Sequence, residues 1–368
     1  MRQTSTDYLV IGSGTAGLAF ADTLIAEDPE AHVTIVDRRG KPGGHWNDAY
    51  SFVTLHQPSA FYGVNSLELG SGLIDTRGMN EGLCELASGP EISGYFDRVM
   101  TRGLLASGRV SYHPICNYLG DGQFESILSG ARTQVSVRRK VVDATYLSPS
   151  VPATHRRGFR VGEGVAVVPP GALPGLWHAF DGKRPPRRFV VIGAGKTAMD
   201  TCSWLVQSGT EPDAITWVVP RDSWLLNRAT TQNAPAFFDA TLRSQAAMME
   251  AFAQANSIAD LYLRLEACSV LLRIHPERTP TMFHLATITP LEAELLRGIR
   301  KVLRLGRVQA LEASRMTLDE GEVAVEPGTL FVDSTASAVE PRPLQPIFQE
   351  GRIVLQWCGF RSRRSARP

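Results

Sequence analysis

Two glycine-rich segments have the composition of phosphate-binding turns, and each follows a short apolar run. The first covers residues 12–17 and reads G-S-G-T-A-G. Gly12 permits a tight turn, Gly14 lets a ligand approach the backbone, and Gly17 lets a helix pack closely on the preceding strand. A helix that starts here presents free N–H groups, including those of Thr15 and Ala16, and its positive dipole end. The segment therefore predicts a site for the pyrophosphate of a dinucleotide.

An acidic residue follows this first fingerprint at the position typical of ribose recognition. Residues 8–11 predict a strand, residues 16–26 have helical spacing, and residues 33–36 predict a second strand that ends at Asp37. Asp37 lies 25 residues after Gly12, and a carboxylate there accepts hydrogen bonds from ribose hydroxyls. Arg38, next to it, is a second candidate for cofactor contact.

The pattern returns half a chain later as a second fingerprint, residues 193–198, which reads G-A-G-K-T-A. Gly193 and Gly195 take the turn and close-approach positions, and Ala198 is an accepted variant of the third glycine. Lys196 and Thr197 lie between Gly195 and Ala198, at the start of a predicted helix. The lysine–threonine pair is not a Walker P-loop, because that motif requires glycine where this chain has Val190.

The residues after the next predicted strand, 215–219, indicate which nicotinamide cofactor the second fingerprint takes. No acid closes the strand, which runs instead into Pro220, Arg221 and Asp222. An arginine can pair with the 2′-phosphate of NADPH, whereas a carboxylate would repel it. Arg221 therefore predicts NADPH, and the alternative is that Arg221 and Asp222 form an ordinary surface ion pair.

These elements predict an α/β fold with two Rossmann-like dinucleotide-binding domains, the first interrupted by the second. We assign residues 1–165 to the first domain and 166–325 to the second. We expect a mostly helical segment at 236–303, a hairpin at 308–325, and a return to the first domain over 326–368. Seven prolines between residues 149 and 186 mark the connection between the domains.

The composition of the chain limits which binding partners and which cellular compartment are expected. Lysines and arginines exceed acids by one charge, so no large field attracts nucleic acid or an anionic membrane. The five cysteines lack any Cys-x-x-Cys spacing, which argues against a zinc site and a disulfide framework. No apolar run approaches the roughly 18 residues of a membrane span, and no signal-peptide pattern opens the chain. We therefore expect a cytoplasmic protein with a small-molecule substrate and no metal.

The two units together resemble the two-dinucleotide-binding flavoprotein superfamily. Within that superfamily, the chain is most similar to flavin-containing monooxygenases and the related N-hydroxylating and Baeyer–Villiger enzymes over residues 8–66 and 187–225. The segments G-G-H-W at 43–46 and L-H-Q-P-S at 55–59 carry the likeness. The resemblance implies FAD at the first fingerprint, with Gly44, His45 and Trp46 along the flavin ring. It also implies that Asp333, in V-D-S-T-A at 332–336, lies on a late strand returning to the FAD domain.

The resemblance further implies hydride transfer from NADPH to FAD, then oxygen activation and oxygen transfer to a small organic substrate. His56 and Gln57 are the catalytic candidates, as donors or acceptors to the flavin ring or the nicotinamide amide; the alternative is that they only satisfy their own loop. Two other functions stay open: an NADPH-dependent reductase without oxygenation, and a nucleotide-binding protein with degraded catalysis. The helices of 236–303 are expected to cover the substrate cleft or to form a homodimer surface.

The last residues carry no regular pattern. Four arginines lie among residues 361–368, without an apolar period, so we expect neither strand nor helix after about residue 358. This predicts a shortened return to the FAD domain, and the alternative is a short basic tail.

Overall fold

The computed structural model describes residues 2–147, 149–177, 186–336 and 342–356. Within them the strands, numbered in chain order, are β1 (Arg2–Ile11), β2 (Val33–Val36), β3 (Gly63–Val64), β4 (Leu67–Glu68), β5 (Val110–His113), β6 (Cys116–Gly120), β7 (Gln123–Ser126), β8 (Arg132–Asp143), β9 (Arg160–Val161), β10 (Val167–Val168), β11 (Phe189–Ile192), β12 (Ile215–Val218), β13 (Ser223–Asn227), β14 (Leu271–Leu272), β15 (Met282–Ile288), β16 (Lys301–Leu303), β17 (Val308–Leu311), β18 (Arg315–Leu318), β19 (Gly321–Ala324), β20 (Leu330–Asp333) and β21 (Arg352–Val354). The α-helices are α1 (Thr15–Glu27), α2 (Gly89–Arg98), α3 (Leu173–Trp177), α4 (Lys196–Gln207), α5 (Phe238–Gln254), α6 (Ile258–Ala267) and α7 (Pro290–Arg297).

The first domain is built on a sheet with the strand order β5-β2-β1-β8-β7-β6, and β21 lies beside β8. Strands β1, β2, β5, β8 and β21 run parallel, whereas β6 and β7 are antiparallel. All four residues of β2 are buried, as expected for a parallel strand covered on both faces. Helix α1 packs Leu18 and Ala21 against Val10 and Ile35. The predicted strand–turn–helix–strand unit is therefore confirmed.

The second domain has a fully parallel sheet with the order β10-β20-β11-β12-β16. Its core joins Phe189 and Val191 of β11 to Trp217 of β12, Leu205 of α4 and Leu296 of α7. Two Rossmann-like units are thus present, one per sheet, as the duplicated fingerprints predict.

The position of β20 corrects one sequence-based assignment. Residues 330–333 were expected to return to the FAD domain, but β20 pairs with β10 and β11 in the middle of the second sheet. All four of its residues are buried, so the apolar run L-F-V-D is explained by burial on both faces of that sheet. The chain rejoins the first sheet at β21 instead, next to β8. The first domain is interrupted by the second, but it resumes later than residue 326.

Three further assignments differ from the sequence reading, two of them because distant segments pair. Residues 236–303 contain α5, α6 and α7, but also β15, which lies parallel to β13, and β16, which extends the second sheet. Residues 308–325 form three antiparallel strands, β17 to β19, rather than one hairpin. Strand β9 pairs with β17, although the expected boundary at residue 165 assigned it to the first domain.

Helix α5 keeps much of its apolar surface exposed, including Phe238, Met249 and Phe252. The interpretations of this face as a substrate cover or a homodimer surface both stay predictions. None of the helices in the described ranges is both long and apolar enough to cross a membrane. The expectation about the chain after residue 358 lies outside the described residues.

Candidate functional site

The first fingerprint forms the turn between β1 and α1. Gly12 has φ +101°, a conformation that favours glycine. A Cβ on Gly17 would lie 2.1 Å from the carbonyl oxygen of Gly12, so only glycine lets α1 approach β1 this closely. Gly14 is the residue before the first turn of α1 and supplies no side-chain cap, so Thr15 and Ala16 begin the helix with their N–H groups open to a ligand. The turn has the geometry that binds pyrophosphate.

The loop containing Gly43 and Gly44 lies directly on this turn. The Gly43 N–H donates to the Ser13 carbonyl at 2.8 Å, and a Cβ on Gly44 would lie 3.0 Å from the Cα of Gly14. Gly44 has φ +59°, which also favours glycine. Two segments that are 30 residues apart in the chain thus approach through their backbones alone.

The Asp37 carboxylate lies at the edge of the same turn. It accepts hydrogen bonds from the Ser13 N–H at 2.6 Å, from the Ser13 hydroxyl at 2.8 Å and from the Arg39 N–H at 2.7 Å. These bonds fix the carboxylate at the end of β2, beside the turn that would hold the pyrophosphate. Arg38 is exposed, whereas the Arg39 guanidinium turns back to Asp48 at 2.9 Å.

Trp46 is held by a phenol that the sequence reading missed. The indole N–H of Trp46 donates to the Tyr62 hydroxyl at 2.6 Å, and that hydroxyl is also hydrogen-bonded to Thr15 at 2.5 Å. Burial raises the pKa of Tyr62, so the phenol stays protonated. His45 packs against Trp46, and burial, followed by the Arg39 charge, lowers the pKa of His45. Tyr62 therefore couples the orientation of Trp46 to the first turn of α1.

The second fingerprint repeats this construction between β11 and α4. Gly193 has φ +129°, and a Cβ there would lie 2.8 Å from the Ser334 carbonyl oxygen. The Trp217 indole N–H donates to the Gly193 carbonyl at 2.7 Å, which fixes the turn. Gly195 precedes α4 without a side-chain cap, and Ala198 is fully buried against the sheet.

Asp333 ends β20 beside the second fingerprint, and its oxygens are occupied by Thr335 and by two residues of the connection between the domains. One oxygen accepts from the Thr335 N–H at 3.1 Å and the Thr335 hydroxyl at 2.7 Å, while the other lies 3.2 Å from Arg157 and from His155. Its expected contact with FAD does not follow from this placement, because the strand that carries it belongs to the other sheet.

The first domain has its own copy of this motif, which the sequence reading missed. Asp143 ends β8 beside Ile11, accepts from the N–H and hydroxyl of Thr145 at 2.8 and 2.6 Å, and pairs with Arg352. A Cβ on Gly12 would lie 3.2 Å from the Thr145 methyl carbon. The signal was visible as a repeat, V-D-A-T at 142–145 and V-D-S-T at 332–335.

The two domains meet at a buried ionic cluster formed by Lys196, Asp200, Arg228 and Glu292. Lys196 pairs with Asp200 and lies 3.5 Å from Glu292, and Arg228 lies 2.9 Å from Glu292. The Tyr50 hydroxyl of the first domain donates to Asp200 at 2.7 Å. The two cations balance the two carboxylates. Lys196 of the second fingerprint is thus directed at acids of its own domain.

His56 lies against this cluster, from the first domain. Its carbonyl accepts from Arg228 at 3.0 Å, and its Nδ1 accepts from the Thr287 N–H at 3.4 Å. Burial, and then the positive charge of Lys196, lower the pKa of His56 to about 4. The ring is therefore neutral at pH 7, with Nδ1 as acceptor and Nε2–H as a donor. Gln57 follows it with its side chain partly exposed.

A small cleft of about 10 Å³ lies beside the second fingerprint. Its lining includes Ala194, Trp217, Arg221, Asp222 and Arg273. The Asp222 carboxylate is bound by Arg304, with N–O distances of 2.8 and 3.0 Å. Arg221 is exposed and has no ion-pair partner in the described part of the chain. The structure therefore does not contain the alternative surface pair between Arg221 and Asp222.

Comparison with known proteins agrees with this geometry. The model of the NAD(P)-binding Rossmann-like domain family matches residues 10–67, around the first fingerprint. Uncharacterized proteins of Mycobacterium tuberculosis and Mycobacterium bovis are 48% identical over 351 residues, which cover 95% of this chain and 64% of theirs. The chain thus spans slightly less than two thirds of the length of these relatives.

Solved structures share the arrangement of both domains. A mutant flavin monooxygenase from Stenotrophomonas maltophilia superposes with TM-score 0.51 at 13% identity, covering 96% of this chain and 90% of that one. Cyclohexanone monooxygenase from Rhodococcus bound to NADP⁺ gives TM-score 0.53 at 14% identity, with coverages of 92% and 71%. The chain has the fold of a two-dinucleotide-binding flavoprotein. Polycyclic ketone monooxygenase from Thermothelomyces thermophila gives TM-score 0.53 at 13% identity, covering 92% and 64%.

Within this flavoprotein fold, both fingerprints lie at the carboxyl ends of parallel strands, where α/β sheets bind ligands. The structure brings Gly12–Gly17, Asp37 and the Gly44–Trp46 segment together in the first domain. It brings His56 to the second domain. It separates Asp333 from the first sheet. Arg228, directly after β13, and Glu292, on α7, were not found from sequence, because single charged residues carry no recognisable spacing.

Proposed function

We propose that the chain is a FAD-dependent NAD(P)H oxidoreductase, with FAD at the first fingerprint and NADPH at the second. The observation that carries the proposal is the duplication itself: two glycine turns, each closely packed on a parallel strand of its own sheet, joined by contacts between the domains at His56. A single dinucleotide would need one such turn.

The first site has groups suited to each part of FAD. The open N–H groups at the start of α1 suit the pyrophosphate, and the fixed Asp37 carboxylate suits the adenosine ribose. Gly44 lies against Gly14 of the turn, and Trp46 is linked to Thr15 through Tyr62, so the Gly44–Trp46 segment would help to hold the cofactor. When bound, FAD would supply the redox chemistry, accepting a hydride and passing electrons on.

The second site has a cation suited to NADPH. Arg221 has no ion-pair partner among the described residues and lines the cleft that begins at Ala194 of the fingerprint. A charge-assisted contact between a guanidinium and a phosphate favours the 2′-phosphorylated cofactor. Asp222, the nearest acid in the sequence, is already paired with Arg304.

His56 is suited to positioning a ligand rather than to moving protons near neutral pH. A ring with a pKa of about 4 is a poor base and is rarely protonated at pH 7. Its Nε2–H can donate a hydrogen bond to a carbonyl, such as that of a nicotinamide amide or a flavin ring. Gln57, next to it, can both donate and accept. Both side chains come from the loop that contacts the second domain.

We further propose monooxygenase-like chemistry on a small organic substrate. The support is the fold shared with flavin, cyclohexanone and polycyclic ketone monooxygenases, together with the G-G-H-W and L-H-Q-P-S segments. NADPH consumption under air, measured with hydrogen peroxide release and candidate ketone or sulfide substrates, tests it. Substrate-dependent consumption without stoichiometric peroxide is expected; NADPH oxidation that proceeds only with a quinone or other electron acceptor would make the chain a reductase.

Two matched glycine variants test the cofactor assignment. Gly14→Val adds branches towards Gly44 and the pyrophosphate, so the purified variant should lack the visible absorbance of oxidised flavin. Gly195→Val changes the same position of the second fingerprint and should keep its flavin but lose NADP⁺ binding. Full flavin content in Gly14→Val would contradict FAD at the first fingerprint.

A further inference from the structure

The carboxyl ends of two neighbouring strands, β12 and β16, carry an acid and a base that bind each other. Arg304 directly follows β16, and Asp222 lies four residues beyond the end of β12. The two guanidinium contacts with the carboxylate, at 2.8 and 3.0 Å, form a bidentate pair. The backbone of Asp222 is also fixed, because its carbonyl accepts from the N–H groups of Thr281 and Met282 at 3.1 and 3.3 Å.

Asp222 lines the same cleft as Arg221 and the fingerprint residue Ala194. A carboxylate that follows the second strand of a Rossmann unit normally accepts the hydroxyls of the adenosine ribose, and it repels a 2′-phosphate. A free Asp222 could also pair with its neighbour Arg221. In both ways an unpaired Asp222 would disfavour NADPH.

The remaining charged groups of this cleft are neutralised. Arg273 forms a bidentate pair with Glu266, at 2.7 Å for both contacts. Burial, and then the Arg304 charge, lower the pKa of His275, so its ring is neutral at pH 7. With Asp222 balanced by Arg304, Arg221 supplies the cleft's one unbalanced positive charge in the described part of the chain.

We propose that Arg304 is a positioning residue that sets the preference for NADPH by holding the Asp222 carboxylate in a bidentate pair, which leaves Arg221 free for the 2′-phosphate. The inference rests on the proposed NADPH site. Arg304 acts through Asp222 and not through contact with the cofactor. Removal of the Arg304 charge changes the summed charge of Arg221, Asp222 and Arg304 from one positive charge to none.

The test compares dissociation constants for NADP⁺ and NAD⁺ by isothermal titration calorimetry on the flavin-loaded protein. Arg304→Gln should weaken NADP⁺ binding by about 10-fold or more, the size of one charge-assisted contact, and leave NAD⁺ unchanged or tighter. The double variant Asp222→Asn with Arg304→Gln removes the acid as well and should recover the wild-type ratio within about twofold. If Arg304 only supported the fold, the second substitution would not recover the ratio of the two dissociation constants.

The outcomes separate the two proposals. A wild-type protein with no preference for NADP⁺ over NAD⁺ overturns the NADPH site itself. A wild-type preference that Arg221→Ala abolishes but Arg304→Gln leaves intact overturns the role of Arg304. Equal loss in Arg304→Gln and in the double variant overturns the action through Asp222. If Arg304→Gln does not fold, Arg304→Lys, which keeps the charge but not the bidentate geometry, should lower the ratio, and an unchanged ratio overturns the inference.

Discussion

Replacement of Arg228 by methionine is the most stringent test of the junction between the domains. The Arg228 side chain is 1% exposed, pairs with Glu292 at 2.9 Å, and donates to the His56 carbonyl, the Asn80 side chain and the Thr287 carbonyl at 3.0, 3.2 and 3.3 Å. Methionine fills similar space but leaves each of these acceptors without its donor. Glu292, 13% exposed, keeps the hydrogen bond from the Thr289 N–H at 2.6 Å, but its one remaining cation is Lys196 at 3.5 Å among the described residues.

The expected loss in the free energy of unfolding is about 3–5 kcal/mol, the usual cost of removing one partner of a buried ion pair. The three hydrogen bonds alone account for about 3 kcal/mol at roughly 1 kcal/mol each. Urea unfolding, followed by tryptophan fluorescence at constant flavin content, measures this loss. Because Arg228 contacts His56 and Asn80 of the first domain, NADP⁺ binding should weaken together with stability.

The matched control is the double variant Arg228→Met with Glu292→Gln. Removal of both charges of a buried pair is often close to neutral, so the double variant should be less destabilised than Arg228→Met alone. A loss of less than about 1 kcal/mol in Arg228→Met, or an equal loss in the single and double variants, would refute the reasoning, because no uncompensated charge would then be buried.

Two further predictions concern Arg221 and His56. Arg221→Ala should weaken NADPH binding by about 10- to 150-fold and NADH binding little. The control Arg243→Ala, at an exposed position on α5, should change neither affinity. Equal loss for both cofactors in Arg221→Ala would contradict the contact with phosphate. The pKa of His56 is lowered to about 4 in the folded state, below its unfolded value near 6.5, so the unfolded state binds the proton more readily between those pH values. The stability that His56 contributes is therefore present above about pH 6.5 and is lost as the pH falls through that window. Compared with His56→Gln, the wild type should lose more free energy of unfolding between pH 7 and pH 4.5. Equal slopes of the free energy of unfolding against pH in the two proteins would show that the ring is not buried.

The parts of this protein that depend on local backbone geometry could be predicted from its sequence. A strand, a glycine turn, a helix and a second strand lie between residues 2 and 36, and the turn works only with glycine at positions 12 and 17. Such constraints act between near neighbours in the chain, so the spacing alone shows them. Both fingerprints, the sheet strands on either side of them, and the interruption of one domain by the other could be predicted for this reason.

The partners that strands and side chains find across long separations in the chain could not be predicted from the sequence. The apolar run of β20 suits either parallel sheet, and its pairing with β11 places Asp333 in the second domain. Asp222 bonds to Arg304, 82 residues away, rather than to its neighbour Arg221, and Arg228 reaches His56 across 172 residues. Any buried carboxylate needs a cation or a donor, but the sequence does not say which one packing brings within 3 Å. The charges at the junction and at the cleft were therefore invisible until the two sheets were assembled.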